Sequence, residues 1–214
     1  MITLLILLIF FIGAYSGYKS GVILQLLKAI GYVIAFMFAF DYYEWVSKYL
    51  FLLIPYPTPF APESNPYYFY DESFMFSLDL SYYHVISFLL IFIIGWVIVR
   101  VLSQLVSYTV DQIKLPEPYN GIGGAVIGLV IHYIVTFYFI FLASLIPLDL
   151  IQDRLIDSSL AETMLTSTPN LSESTYERFV VKPNNEHEQN QPLMELNPPA
   201  EETNEEETTE ENEE

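Results

Sequence analysis

The sequence predicts an all-α polytopic membrane protein: a bundle of four transmembrane helices with amphipathic helical extensions and a disordered acidic C-terminal tail. Three observations carry this prediction. Apolar residues make up 53% of the 214-residue chain although its formal net charge is −18, so charge and hydrophobicity must sit in different regions. Residues 171–214 hold two basic and fourteen acidic side chains, a net of −12, which is two-thirds of the excess. Upstream, four runs nearly free of ionisable groups each have about the 20 residues needed to cross a bilayer.

The first span covers residues 1–18, with no ionisable side chain before Lys19. A cleaved signal peptide is the rival, but no positive segment precedes the apolar run and the cation follows it, the reverse of the usual order. The second span covers 21–43 and is interrupted by Lys28. An ammonium at mid-bilayer costs about 2.5–3.5 kcal/mol on the insertion scale, so Lys28 is expected near the membrane boundary, snorkelling toward Lys19. Residues 44–79 form an aromatic, Pro-rich loop, with Pro55, Pro57, Pro59, Pro62 and Pro66 denying it a continuous helix. Its upstream part, Tyr42 to Ile54, is amphipathic and suits the membrane interface.

The third span covers 80–100, with His84 inside it and Arg100 at its end. From Arg100 to Lys114 the apolar residues Leu102, Leu105, Val106, Val110 and Ile113 share one face, an amphipathic extension that Pro116 and Pro118 stop. The fourth span covers 121–146 and contains His132. Together residues 1–149 make up the membrane domain. Residues 150–168, with Ile151, Leu155, Ile156, Leu160 and Met164 on one side, read as an amphipathic surface helix. Residues 169–214 cannot bury enough apolar surface to offset their ordering entropy and read as a disordered acidic tail.

Several function classes are excluded at this stage. The acidic balance leaves no Lys/Arg patch for phosphates, so no nucleic-acid partner is expected. The absence of cysteine excludes disulfide scaffolds, Cys-based zinc sites, iron–sulfur clusters and thiol nucleophiles. No Walker sequence, dinucleotide glycine motif or HExxH is present, and the sequence calls for no cofactor, no metal and no catalytic residue. His84 and Ser87 lie one helical turn apart and could suggest an intramembrane serine hydrolase. No Gly-x-Ser-x-Gly surrounds Ser87, however, so anchoring or an interhelical hydrogen bond is the commoner role. Asp41 with Glu44, and Asp71 with Glu72, read as solvated charge, since no dense oxygen-ligand loop is present.

The most informative pattern is glycine. Gly13, Gly17 and Gly21 recur every four residues, as do Gly124 and Gly128 after Gly121. That spacing makes a smooth helix face which a second backbone can approach closely, so these six are the candidate helix-packing residues. Lys28, His84 and His132 are the candidate intramembrane polar positions.

These features in this order resemble the colicin V production protein family of bacterial inner-membrane proteins, in its Gram-positive form, over about Met1 to Asp149. The resemblance is carried by Gly17-Tyr18-Lys19-Ser20-Gly21, by Val22 to Tyr43 with its terminal paired aromatics, and by Asn120-Gly121-Ile122-Gly123-Gly124-Ala125-Val126-Ile127-Gly128. The chain departs from the family at Asn120-Gly121, where an acidic–basic pair is common, and at Ile131-His132, where a basic residue and a third ladder glycine are common. The resemblance implies a non-enzymatic membrane protein supporting production or export of a secreted peptide toxin, or cell-envelope homeostasis. Its implied partners are the lipid bilayer and either further copies or export and envelope membrane proteins. A small oligomeric channel or transporter is the alternative, for which polar residues along one face of a span are expected. The positive-inside rule sets Lys19, Lys28, Arg100 and Lys114 against Lys48 and Arg154. It predicts a multi-pass protein of the bacterial cytoplasmic membrane with both termini extracytoplasmic.

Overall fold

The computed structural model describes residues 1–57, 67–70, 78–110, 116–168, 170–183 and 185, and the regular structure among them is all helical. The helices are α1 (Ile2–Leu53), α2 (Leu78–Val110), α3 (Tyr119–Ser144), α4 (Asp149–Ile156), α5 (Ser159–Ser167) and α6 (Leu171–Tyr176), which continues into a π-helical turn, Glu177–Val181. Three segments are long and apolar enough to cross a membrane: Ile2–Leu53, Leu78–Tyr108 and Tyr119–Ser144. In hydrocarbon every backbone N–H and C=O must be satisfied within the chain, which a helix of uncharged residues does locally.

α1 is not a straight rod. Gly21 adopts φ 72°, ψ 168°, a conformation open essentially to glycine alone, and interrupts the helix there. Before the break, Gly13 lies against His132, Gly17 against Gly124 and Gly128, and Gly21 against Asn120. The first arm, 2–20, therefore runs antiparallel to α3. After the break Val22 meets Gly123 and Phe36 meets Tyr138, so the second arm, 22–53, runs parallel to α3. The chain thus reverses at Gly21 and α1 is a helical hairpin. α2 then lies antiparallel to the second arm, pairing Val99 with Gly31, Gly95 with Ala35, Phe88 with Phe40 and His84 with Tyr43.

The second arm continues to Leu53, so the first part of the loop expected at 44–79 is helical. Ring pairs at helical spacing, Phe38 with Tyr42 and Trp45 with Tyr49, line this stretch. The helix stops where Pro55 forces the preceding Ile54 into an extended conformation, φ −119°, ψ 115°. The single surface helix expected at 150–168 is two helices, α4 and α5, divided at Ser158, whose hydroxyl caps α5 by accepting from the Ala161 amide. Their apolar residues Leu155, Ala161 and Met164 are buried against the bundle rather than spread on a surface. The tail expected to be disordered from 169 contains α6 and the π-helical turn, and Phe179 within it is 0% exposed. Residues 186–214 lie outside the described residues, as do 111–115.

Phe179 completes an aromatic core with Phe40, Tyr43, Phe88 and Phe141. Below it, the C-terminal end of α3 is tied by hydrogen bonds. Its last carbonyls have no helical partner; Gln152 Nε2 donates to the Ser144 and Ile146 oxygens, and the Tyr56 hydroxyl donates to the Leu145 oxygen at 2.9 Å. With the Tyr56 proton so used, Tyr67 must donate to the Tyr56 oxygen. The Tyr70 hydroxyl and Ser144 Oγ share a bond of 2.8 Å.

Burial pushes the hydroxyls of Tyr56, Tyr67 and Tyr70 above the ordinary tyrosine range. A raised acid favours its neutral form in the fold. Its stabilisation is therefore complete below the unfolded value near 10 and is lost as pH rises past it. The melting temperature in detergent should fall between about pH 9 and 11, and a Tyr56→Phe/Tyr67→Phe/Tyr70→Phe variant, less stable at neutral pH, should show a smaller alkaline decline. Equal declines in parent and variant would show that these hydroxyls do not titrate with folding.

Candidate functional site

All six glycines of the sequence pattern lie where the first arm crosses α3. A Cβ added to Gly17 would overlap the Gly124 carbonyl oxygen, one added to Gly124 would overlap that of Gly17, and one added to Gly128 would overlap that of Gly13. The contact is reciprocal and runs backbone to backbone, closer than any side chain permits. At its margins, Gly13 faces the His132 ring and Gly121 faces the Tyr18 ring, with an added Cβ 2.5 Å from the nearest ring carbon in each case. Gly21 supplies the reversal that starts the second arm. That arm's first free amide, on Val22, donates to Asn120 Oδ1 at 2.9 Å, so Asn120 pins the hairpin to the start of α3.

A second small-residue seam joins the second arm to α2. Gly31 seats Val99, Gly95 seats Ala35, and Ala35 and Ala39 are buried. The sequence reading passes over it, although Gly31, Ala35 and Ala39 recur every four residues as the first ladder does.

The candidate polar positions are dispersed. Lys28 Nζ donates to Ser20 Oγ at 2.9 Å, toward the end of the bundle that holds Gly21. His132 Nδ1 lies 2.8 Å from the Gly128 carbonyl oxygen, one turn back on its own helix, so Nδ1 carries the proton. The Thr136 hydroxyl likewise donates to the His132 carbonyl. His84 sits edge-on to the Tyr43 ring at the opposite end, its Nδ1 buried with no hydrogen-bond partner among the described residues. Ser87 is 0% exposed and its hydroxyl donates to the Tyr83 carbonyl at 2.6 Å, not to His84. Glu44 accepts from the Tyr43 hydroxyl and forms an ion pair with Lys182 at 3.6 Å. Asp71 and Glu72 lie outside the described residues. Ser87, Thr136 and His132 thus return their protons to carbonyls of their own helices.

A family model described as Colicin V production protein matches residues 2–169, which include the hairpin, α2, α3, α4 and α5. An uncharacterized transmembrane protein of Bacillus subtilis (strain 168), YshB, is 30% identical over 172 residues, covering 80% of this chain and 93% of that protein. No solved structure matches the chain.

Because the glycine contact is between backbones, even a methyl group must part the helices. Gly124→Ala and Gly128→Ala should each cost about 1–3 kcal/mol through overpacking, and Gly21→Ala a similar amount through backbone strain, about 1–3 kcal/mol. Gly128→Leu should cost more. Leu129→Ala, at a position 42% exposed on the outer face, should leave detergent melting about unchanged. If the two alanine variants melt with the parent, this crossing does not hold the bundle.

Proposed function

We propose, from the premise that this chain belongs to the colicin V production protein family, that it is a non-enzymatic membrane protein supporting production or export of a secreted peptide toxin, or cell-envelope homeostasis. It acts through contacts with other membrane proteins. The observation that carries this reading is the content of the bundle interior. Phe36, Phe40, Phe88, Phe92 and Tyr138 fill it with interlocked rings. Ser87, His132 and Thr136 bond to their own helices, while Gln25, Ser81 and His84, each with a buried polar atom that has no hydrogen-bond partner among the described residues, are spread along the second arm and α2. A conducting or catalytic role within one chain would need polar groups turned toward a cavity. The outer faces, with Leu4, Leu8, Phe11, Val33, Met37 and Ile98 exposed, suit lipid and neighbouring helices.

In this reading the two arms of α1, α2 and α3 cross the cytoplasmic membrane four times. The reversal at Gly21 supports that count, because a straight helix of 52 residues would reach about 78 Å, more than twice the hydrocarbon thickness. Lys19, Lys28 and Arg100 gather at the hairpin end, which is assigned to the cytoplasm, with both termini outside. Arg178 and Lys182, brought by α6 and its π-helical turn to the opposite end beside Phe40 and Glu44, join Lys48 and Arg154 there, so among the described residues that end carries four cations against three. The orientation therefore rests on a reporter test.

Alkaline phosphatase fused to the C-terminus should be active and a cytoplasm-only fluorescent reporter dark; the reverse pattern inverts the topology. In a deletion strain, His84→Gln and Ser87→Ala should complement fully, and crosslinking in native membranes should capture an export or envelope membrane protein. Loss of complementation by both variants at normal membrane levels would contradict the non-enzymatic reading, and solute flux through proteoliposomes of the purified protein would favour a channel.

A further inference from the structure

At the hairpin end the second arm and α2 stand apart around a cleft of about 260 Å³. Gly31 seated on Val99 narrows it, and Ile30, Ile34, Leu102 and Val106 wall it. Lys28 and Ser103 are the polar side chains that line it. Arg100, the residue after Val99, accepts the Ser103 hydroxyl at its carbonyl and lies with its guanidinium 5.2 Å from the Trp96 ring, at the same end of the bundle as Lys28. Among the described residues neither cation has a carboxylate partner, and the ion pair that does form, Lys182 with Glu44, is at the opposite end. Lys28 is half-buried, and one of its three protons goes to Ser20 Oγ. Two cations therefore stand at one end of the bundle, Lys28 against the apolar walls, with most of their donors unspent.

We infer that this cleft holds an anionic phospholipid of the bilayer, its phosphate between Lys28 and Arg100 and one acyl chain along Ile30, Ile34, Leu102 and Val106. The charge of the headgroup offsets the two positive charges. The chain leaves one hydrocarbon environment for another, so the walls supply position and shape but little driving force. Selection among lipids then follows headgroup charge, at about fivefold in affinity for each cation near the surface. Free phosphate has the charge without the chain that lodges in the cleft, and the bilayer lipid is the occupant.

The test uses the full chain in nanodiscs of phosphatidylcholine containing a minor fraction of phosphatidylglycerol, with retained lipids counted by native mass spectrometry. The parent should enrich phosphatidylglycerol; Lys28→Gln and Arg100→Gln should each lower the enrichment about fivefold, and the pair together should abolish it. Lys28→Arg, which keeps the charge, should retain it, and so should Lys48→Gln, which removes a cation outside the cleft. Unchanged melting of the glutamine variants in pure phosphatidylcholine separates lost binding from lost folding. Equal retention of the two lipids by the parent, enrichment untouched by both glutamine variants, or loss in Lys48→Gln as large as in Lys28→Gln would overturn the proposal. Saturable binding of inorganic phosphate that Lys28→Gln abolishes would also overturn it, by making the cleft a site for free anions.

Discussion

The close approach of two backbones, where Gly17 of the first arm meets Gly124 and Gly128 of α3, is the contact on which the other helices depend. Lipid tails are as apolar as leucine, so moving a leucine from lipid to a helix neighbour gains almost nothing; tight van der Waals packing and hydrogen bonds must do the holding. Glycine provides that packing by removing the side chain from the interface. With the first arm set antiparallel on α3, the strained backbone of Gly21 and the Val22–Asn120 hydrogen bond send the second arm back along the same helix. α2 then has a single seam to follow, through Gly31, Ala35 and Ala39.

The two ends of the bundle are held by different chemistry. At the hairpin end the chain turns tightly, and its side chains there include the cations Lys19 and Lys28 and the small residues Gly17, Ser20 and Gly21. At the opposite end lie the connection from α1 to α2 and the turn from α3 to α4. They are held by hydroxyls and amides that reach the exposed carbonyls at the end of α3, and by rings from α6 and the π-helical turn that enter the core. Packing by small residues suits the dry middle of the spans, whereas hydrogen bonds to helix-end carbonyls suit the region where the helical ladder runs out. The same division explains why the polar positions differ in behaviour. Lys28 reaches outward to Ser20, while His132 has no such exit and turns to its own backbone.

Helical membrane character is legible in the sequence because a charge-free run of twenty residues has few other uses. Element ends are less so. Tyr42 to Leu53 reads as an interfacial loop because its aromatics suit the membrane boundary in any conformation, yet no proline interrupts the helix before Pro55. The break at Ser158 carries a capping signal, a serine before an amphipathic turn, that the apolar spacing across 150–168 conceals. The tail reads as disordered from its mean composition. Phe179, Val180 and Val181 are an apolar cluster in that segment which averaging hides, and Phe179 and Val180 reach the core. For the glycines, a spacing of four specifies a face but not the neighbour it meets, and Asn120, which the pattern alone makes a mere departure, is the hydrogen-bond acceptor that fastens the turn.

The reversal of α1 at Gly21 is the central claim, and a single distance decides it. The chain has no cysteine, so spin labels can be placed without background at Leu4→Cys and Tyr42→Cys, both exposed positions on the two arms. A hairpin of neighbouring helices predicts a label separation on the order of 10–25 Å by double electron–electron resonance, given axes about 8–10 Å apart. A continuous helix between those residues would separate them by about 57 Å, and a distance near that value in bilayers would contradict the account.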